Sequence, residues 1–184
     1  MIADIILVIA GALFVGVYVS WRAGRIDRLH ARVDIARVAL DVTLLRRSSV
    51  AQELATSGLL DPATSLLLAA AVLGTRGGER PRDLAESDLT RALRAAFSQP
   101  DFRASLSGKE GADELLAEVE EAAHQVFVAR KFYNDLVAVT RDARSRPLAR
   151  VLHLAGRAKA PVFFEMDDSL IAEKPGVPLG SGSG

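Results

Sequence analysis

The sequence predicts an all-α protein. An N-terminal transmembrane helix runs on into an antiparallel bundle of about four helices, two long and two short, with a short amphipathic helix near the C-terminus. Three observations carry this expectation. The chain opens on an uncharged apolar run. Two later stretches repeat apolar residues every three and four positions. The composition is aliphatic, with 49% hydrophobic residues but only 5% aromatic ones. Ala- and Leu-rich, aromatic-poor chains favour helix packing over packed sheets.

The apolar run is IILVIAGALFVGVYVS, from Ile5 to Ser20, and Asp4 is the only charged side chain between Met1 and Trp21. At 1.5 Å per residue, about twenty residues span roughly 30 Å, the thickness of a bilayer core. Trp21 closes the run where an interfacial aromatic sits. A cleaved signal peptide wants a basic segment before its apolar stretch, and none is present. A buried core helix is the other reading; the uniform apolarity, with Gly11 and Gly16 inside it, suits a membrane helix better. Arg22, Arg25, Arg28 and Arg32 follow the run and no Lys or Arg precedes it. The positive-inside bias therefore predicts a single-pass cell-membrane protein with its N-terminus outside and its bundle in the cytoplasm.

Beyond the run, Ile26, Leu29, Val33, Ala36 and Leu40 form one apolar stripe, with Asp27, Arg28, Asp34 and Arg37 off it. That is the seam pattern of a bundle helix, continuous with the span and ending near Ser57-Gly58. Asp61-Pro62 reads as an N-cap followed by a first-turn proline. The helix it opens is apolar nearly all round to Leu73 and is expected to stop at Gly74. Complete packing inside the bundle is one reading; a self-association face made of Leu66, Leu67, Leu68 and Val72 is the other. Thr75 to Pro81 reads as a loop, and a short helix is expected from Ser87 to Phe97. A second connection follows, from Ser98 to Gly111. The last long helix, Gly111 to Arg144, carries Leu115, Val119, Ala122, Val126, Ala129, Tyr133, Leu136 and Thr140 as its stripe. Acidic residues at its start and basic ones at its end suit the helix dipole.

From Arg144 to Lys159 there are five basic residues and no acid: Arg144, Arg146, Arg150, Arg157 and Lys159. With Leu148, Val151, Leu152 and Ala155 they make a basic amphipathic segment, read either as an anionic-lipid contact or as a solvated helix folded on the bundle. The segmentation is thus an anchor over 1–21, a bundle over 22–165 and a flexible tail over 166–184. The tail's Gly-Ser end has linker composition, native or engineered.

Several chemistries are not expected. The chain has no cysteine, so disulfides and thiol chemistry are excluded. Lys+Arg and Asp+Glu are 23 each, which argues against a general nucleic-acid binder. His30, His124 and His153 lie far apart; His30 falls between Asp27 and Asp34 and reads as salt-bridged or solvated. Glu114, Glu118 and Glu121 share a helix face, but a di-metal bundle needs repeated Glu-x-x-His pairs and Glu121-Ala122-Ala123-His124 supplies one. There is no phosphate-cradling glycine loop and no nucleophile elbow. No enzyme activity, cofactor or small-molecule substrate is expected.

Arg130, Tyr133 and Asn134 stand out as polar groups on or beside the last helix's stripe. Structurally Tyr133 would pack in the stripe, and Arg130 and Asn134 would bond to the facing first helix, at Asp34 or Asp41, and fix its register. A ligand or partner site is the other use.

The stretch Ala129-Arg130-Lys131-Phe132-Tyr133-Asn134-Asp135 resembles the AR-x-x-YN element of the LemA family. Arg32-Val33-Asp34 with Ala36, then Asp41, Leu44, Leu45, Arg46 and Arg47, resembles that family's first long helix with its paired basic end. Phe97 with Pro100-Asp101-Phe102 resembles its YPDL-like turn, and Pro147 with Pro161 to Glu165 its C-terminal close. Order and spacing agree from about Trp21 to Glu165. The departure is Ser48-Ser49-Val50-Ala51-Gln52-Glu53-Leu54, where the family usually carries an acidic-apolar-proline segment. The resemblance implies a membrane-anchored antiparallel bundle and no known catalytic activity. The expected role is a scaffold or accessory subunit, partnered by membrane lipid and by its own copies or another membrane protein. A tethered sensor or enzyme with a polar pocket in the bundle is the alternative.

Overall fold

The computed structural model describes residues 1–78, 80–100, 102–145 and 159–169, apart from the side chains of Arg22, Ala23 and Ile26. Among these residues it is all-α, with five helices: α1 (Ile2–Thr56), α2 (Pro62–Arg76), α3 (Arg82–Phe97), α4 (Phe102–Leu106) and α5 (Ala112–Ser145). The expected C-terminal amphipathic helix, with Arg146, Arg150 and Arg157, lies outside the described residues. The chain divides into two compact units. One comprises Met1–Leu40 with Ala129–Phe164, the other Asp41–Val128 with Glu165–Gly184.

The first unit holds the apolar run. Ile2–Trp21 is helical, has a mean hydropathy of 2.5 and is not buried by any part of the fold. It is the one helix among the described residues long and apolar enough to cross a membrane. Below it, Leu29, Val33, Ala36 and Leu40 are buried, and on α5 so are Tyr133, Val137 and Thr140. Arg144 meets His30 and Arg37 meets Tyr133, so the two helices run antiparallel here.

The second unit is a multi-helix core. Val50, Ala51 and Leu54 of α1 pack with Leu68 and Val72 of α2, Leu89 and Leu93 of α3, Phe102 and Leu106 of α4, and Leu116, Val119 and Ala122 of α5. Each fully buried Leu of this kind contributes about 1.5–3 kcal/mol from removed apolar area. Gly58, at φ 73, takes the left-handed conformation that ends α1. Asp61 caps α2, accepting from the amides of Ala63 at 3.0 Å and Thr64 at 3.1 Å, with Pro62 at the first position.

Four details differ from the sequence reading. Gly74 does not stop α2: the helix runs on to Arg76, and the Gly77 amide closes it on the Leu73 carbonyl at 3.1 Å. The next helix begins at Arg82, not Ser87. Pro81 sets the turn before it, and Ala85 and Glu86 already belong to its buried face. A short helix, α4, stands in the expected connection because Phe102 and Leu106 are both buried. On α5 Val119, Ala122, Val126, Tyr133 and Thr140 of the expected stripe are buried, but Leu116 and Val137 take the places expected of Leu115 and Leu136.

α2 is not packed all round either. Leu68 and Val72 are core residues at 1% and 0% exposure, whereas Leu66 and Leu67 stand 72% and 67% exposed. The four therefore do not form one self-association face: half of that set is consumed by the fold.

Candidate functional site

In the first unit, the α5 residues singled out in the sequence hold an extended segment, 159–164. Asn134 makes two bonds to one residue: its Oδ1 accepts from the Phe164 amide at 2.9 Å, and its Nδ2 donates to the Phe164 carbonyl at 3.2 Å. A side-chain amide presents a donor and an acceptor side by side and so pairs with a backbone unit as a neighbouring strand does. The Tyr133 hydroxyl donates to the Val162 carbonyl at 2.8 Å. The Arg37 guanidinium lies over the rings of Tyr133 and Phe164, at 5.6 and 4.9 Å from their centroids. Arg141 lies over Phe163 at 5.2 Å. Phe164 is buried as a result.

This corrects the expected partners. Asn134 bonds to the C-terminal segment, not to Asp34 or Asp41. Asp34 is exposed, and Arg130 is half-buried beside the clamp residues. His30 meets Arg144 Nη1 at 2.8 Å. A guanidinium only donates, so the imidazole Nε2 accepts. Of the basic residues expected to face lipid, Arg144 thus has a partner within the protein and Lys159 is exposed.

In the second unit, Arg46 and Arg47 part company. Arg46 is exposed and pairs with Glu118 at 3.6 Å and Gln125 at 3.5 Å. Arg47 is buried. Its Nη2 donates to Glu86 Oε2 at 2.7 Å and to the Glu86 carbonyl at 3.1 Å, and its Nη1 donates to Thr90 Oγ1 at 2.8 Å. Arg82 reaches the other Glu86 oxygen at 3.9 Å and pairs with Asp41 at 3.0 Å. Burial lowers the Arg47 pKa and pushes the Glu86 carboxyl up, and in each case the attraction between the two opposes the shift. Taking both charges out of water costs several kcal/mol each, which their close, multiply bonded geometry offsets. The pair fixes α1 against α3.

A cleft of about 410 Å³ opens beside this pair, lined by Ser48, Thr75, Arg76, Arg80, Arg82 and Glu86 among others. Arg80 pairs with Asp88 and Arg82 with Asp41. The polar groups converge from α1, α2, α3 and the connection between α2 and α3, and the buried Arg47 and Glu86 face each other. The arrangement holds helices together. Among the described residues no group of three or more His, Asp or Glu could hold a metal ion.

The second unit also binds the chain's return. Both carboxylate oxygens of Asp167 accept from Arg94 Nη2, at 2.9 and 3.0 Å, Oδ1 also accepts from the Ser169 amide and hydroxyl, and the Asp167 amide donates to Ser87 Oγ at 3.0 Å. Met166 beside it is buried, so ordered packing runs past the expected boundary at Glu165.

Sequence reasoning missed Glu86, Thr90, Arg37 and Phe164. Glu86 carried a signal: it falls on the buried stripe of α3 with Leu89 and Leu93, where an acid implies a buried partner. Phe164 lay within the Pro161 to Glu165 stretch, but nothing there named its partner, because its bonds to Asn134 are made by backbone atoms. Compared with known proteins, the chain matches no family model, no curated protein and no solved structure.

Proposed function

We propose that this protein is a membrane-anchored interaction protein of the LemA type, acting as a scaffold or accessory subunit at the cytoplasmic face of a cell membrane. One observation carries the reading. An uncovered apolar helix of bilayer length, Ile2–Trp21, continues without a break into the helix that builds both compact units. Among the described residues none of that segment is buried, and exposing it to water is costly, at about 25 cal/mol per Å² of apolar surface. A bilayer removes the cost. The arginines that follow support a cytoplasmic bundle. The charge-compensated interior favours a binding and positioning role over catalysis. The clamp of Tyr133 and Asn134 on residues 162–164 accounts for the LemA-like element as a closure of the fold.

The chain's lack of cysteine makes a direct test simple. Single cysteines replace Ala3 and Thr56 in the full chain, expressed in intact cells. Alkaline carbonate should leave the protein in the membrane pellet. A membrane-impermeant maleimide should label position 3 before lysis and position 56 only after it. Release by carbonate refutes the anchor, and the reverse labelling refutes the orientation.

A further inference from the structure

We propose that α1 is a self-association helix: its outer face pairs in parallel with α1 of a second copy in the same membrane. The inference rests on the anchoring proposed above and adds the partner and the surface.

α1 has two apolar faces. One is the stripe the fold covers, Leu29, Val33, Ala36 and Leu40. The other is Ile35, Val38, Val42 and Leu45, exposed at 70, 63, 60 and 60%. At about 100° per residue, the two stripes point roughly 180° apart around one helix axis. The exposed residues step by three, four and three, the heptad seam of a coiled coil. Ile35 and Val42 take the first seam position, and Val38 and Leu45 the second. β-Branched residues at the first position are the choice that favours two parallel strands.

The membrane supplies the orientation and the register. Two copies anchored by the same span enter the cytoplasm in the same direction and at the same height. The flanking charges then match: Asp27 of one copy falls beside Arg32 of the other, five residues on, as seam-edge pairs do. Both residues are exposed. The same register puts Asp41 near Arg46 of the other copy, although each already has a partner in its own fold. Arg28 falls on the seam opposite Arg28 of the other copy, and the adjacent Asp27 of that copy offsets the like charge.

Toward the membrane the seam runs into an open groove along α1, where Gly16, Ser20 and Gly24 lie between Leu13, Val17 and Trp21. A Cβ added at Gly16 would meet nothing within 4 Å. Small residues there let two helices approach closely as they leave the bilayer. The exposed seam is about 15 Å long at 1.5 Å per residue, too short to hold two soluble helices together. Confinement in one membrane raises the effective concentration that makes a short seam sufficient.

The test uses the full chain in native membranes. Single cysteines are placed at 35, 38, 42 and 45, at the flanking positions 32, 39 and 46, and on α2 at 66, 67 and 73. Disulfide dimer is quantified after mild oxidation, and carbonate resistance is scored on the same samples. Expected is a periodic pattern, several-fold higher at 35, 38, 42 and 45 than at the flanks. Val42→Glu in the Val38→Cys background should abolish the dimer without changing the helical circular dichroism signal. Equal yields at all positions, no dimer anywhere, or a maximum on α2 overturns the proposal; with the protein still in the pellet, the scaffold reading stands. A chain that washes from the membrane overturns both.

Discussion

The two compact units close their cores by different means. The second draws on all five helices and seals itself with aliphatic side chains from each, around one buried ion pair. Among its described residues the first has the two long helices, and a non-helical segment, 162–164, lies on α5, held by hydrogen bonds and by arginine over aromatic rings. The difference teaches that aliphatic packing joins helix to helix, whereas a non-helical segment is fastened through its backbone by polar side chains. Tyr133 and Asn134 supply that chemistry.

The comparison breaks most visibly at the buried pair. Glu86→Leu leaves Arg47 charged, buried and unpaired, and removing one partner of such a pair costs about 3–5 kcal/mol. Chemical unfolding of the purified chain in detergent should show the loss as a lower midpoint. Adding Arg47→Met should restore much of it. If the double variant is no more stable than Glu86→Leu alone, the pair does more than compensate itself. Next in size is Leu89→Ala, which opens a cavity at a fully buried position and should cost about 2–5 kcal/mol in the same measurement.

The first unit should respond differently. Asn134→Ala removes both bonds to Phe164, about 2 kcal/mol at the usual net value of about 1 kcal/mol per bond. Hydrogen exchange of residues 162–164 should accelerate while the α2 and α3 amides stay protected. Equal loss of protection in both units would show that the clamp is not local. The smallest effect belongs to Arg94→Ala, an exposed pair worth about 0.2–1 kcal/mol, which should loosen residues 166–169 alone.

Acid sharpens that last contrast. Hydrogen bonds from the Ser169 side chain and then its backbone, with the attraction of Arg94, hold the Asp167 carboxyl below the usual carboxylate range. A depressed folded value means the contribution is present above the ordinary pKa of about 3.9 and is lost as pH falls through the lower folded value. Exchange at residues 167–169 should therefore rise in that acidic window, and Asp167→Asn should show the loosened state at neutral pH.

Much of this was legible in the chain. The span needed only its length and lack of charge, and the buried stripe of α1 appeared at Leu29, Val33, Ala36 and Leu40 as its spacing implies. Boundaries were harder. Gly74 looked like a stop because glycine lowers helix propensity, but the covered Leu68 and Val72 on the same helix outweighed that local cost. The second seam of α1, at Ile35, Val38, Val42 and Leu45, was also in the sequence. It went unread because a helix with one good stripe invites no search for another.

The sequence by itself determined the elements: which segments are helical, where the apolar run lies, and which residue types stand on each face. Those follow from periodicity and composition, which act along a helix and need no neighbour. Only the tertiary structure decided the partners. Asn134 meets Phe164, Arg47 meets Glu86 and His30 meets Arg144 because the fold brings segments distant in sequence within hydrogen-bond reach. Asn134 meets backbone atoms, which every residue carries, so no spacing rule along one chain names the place where that bond closes.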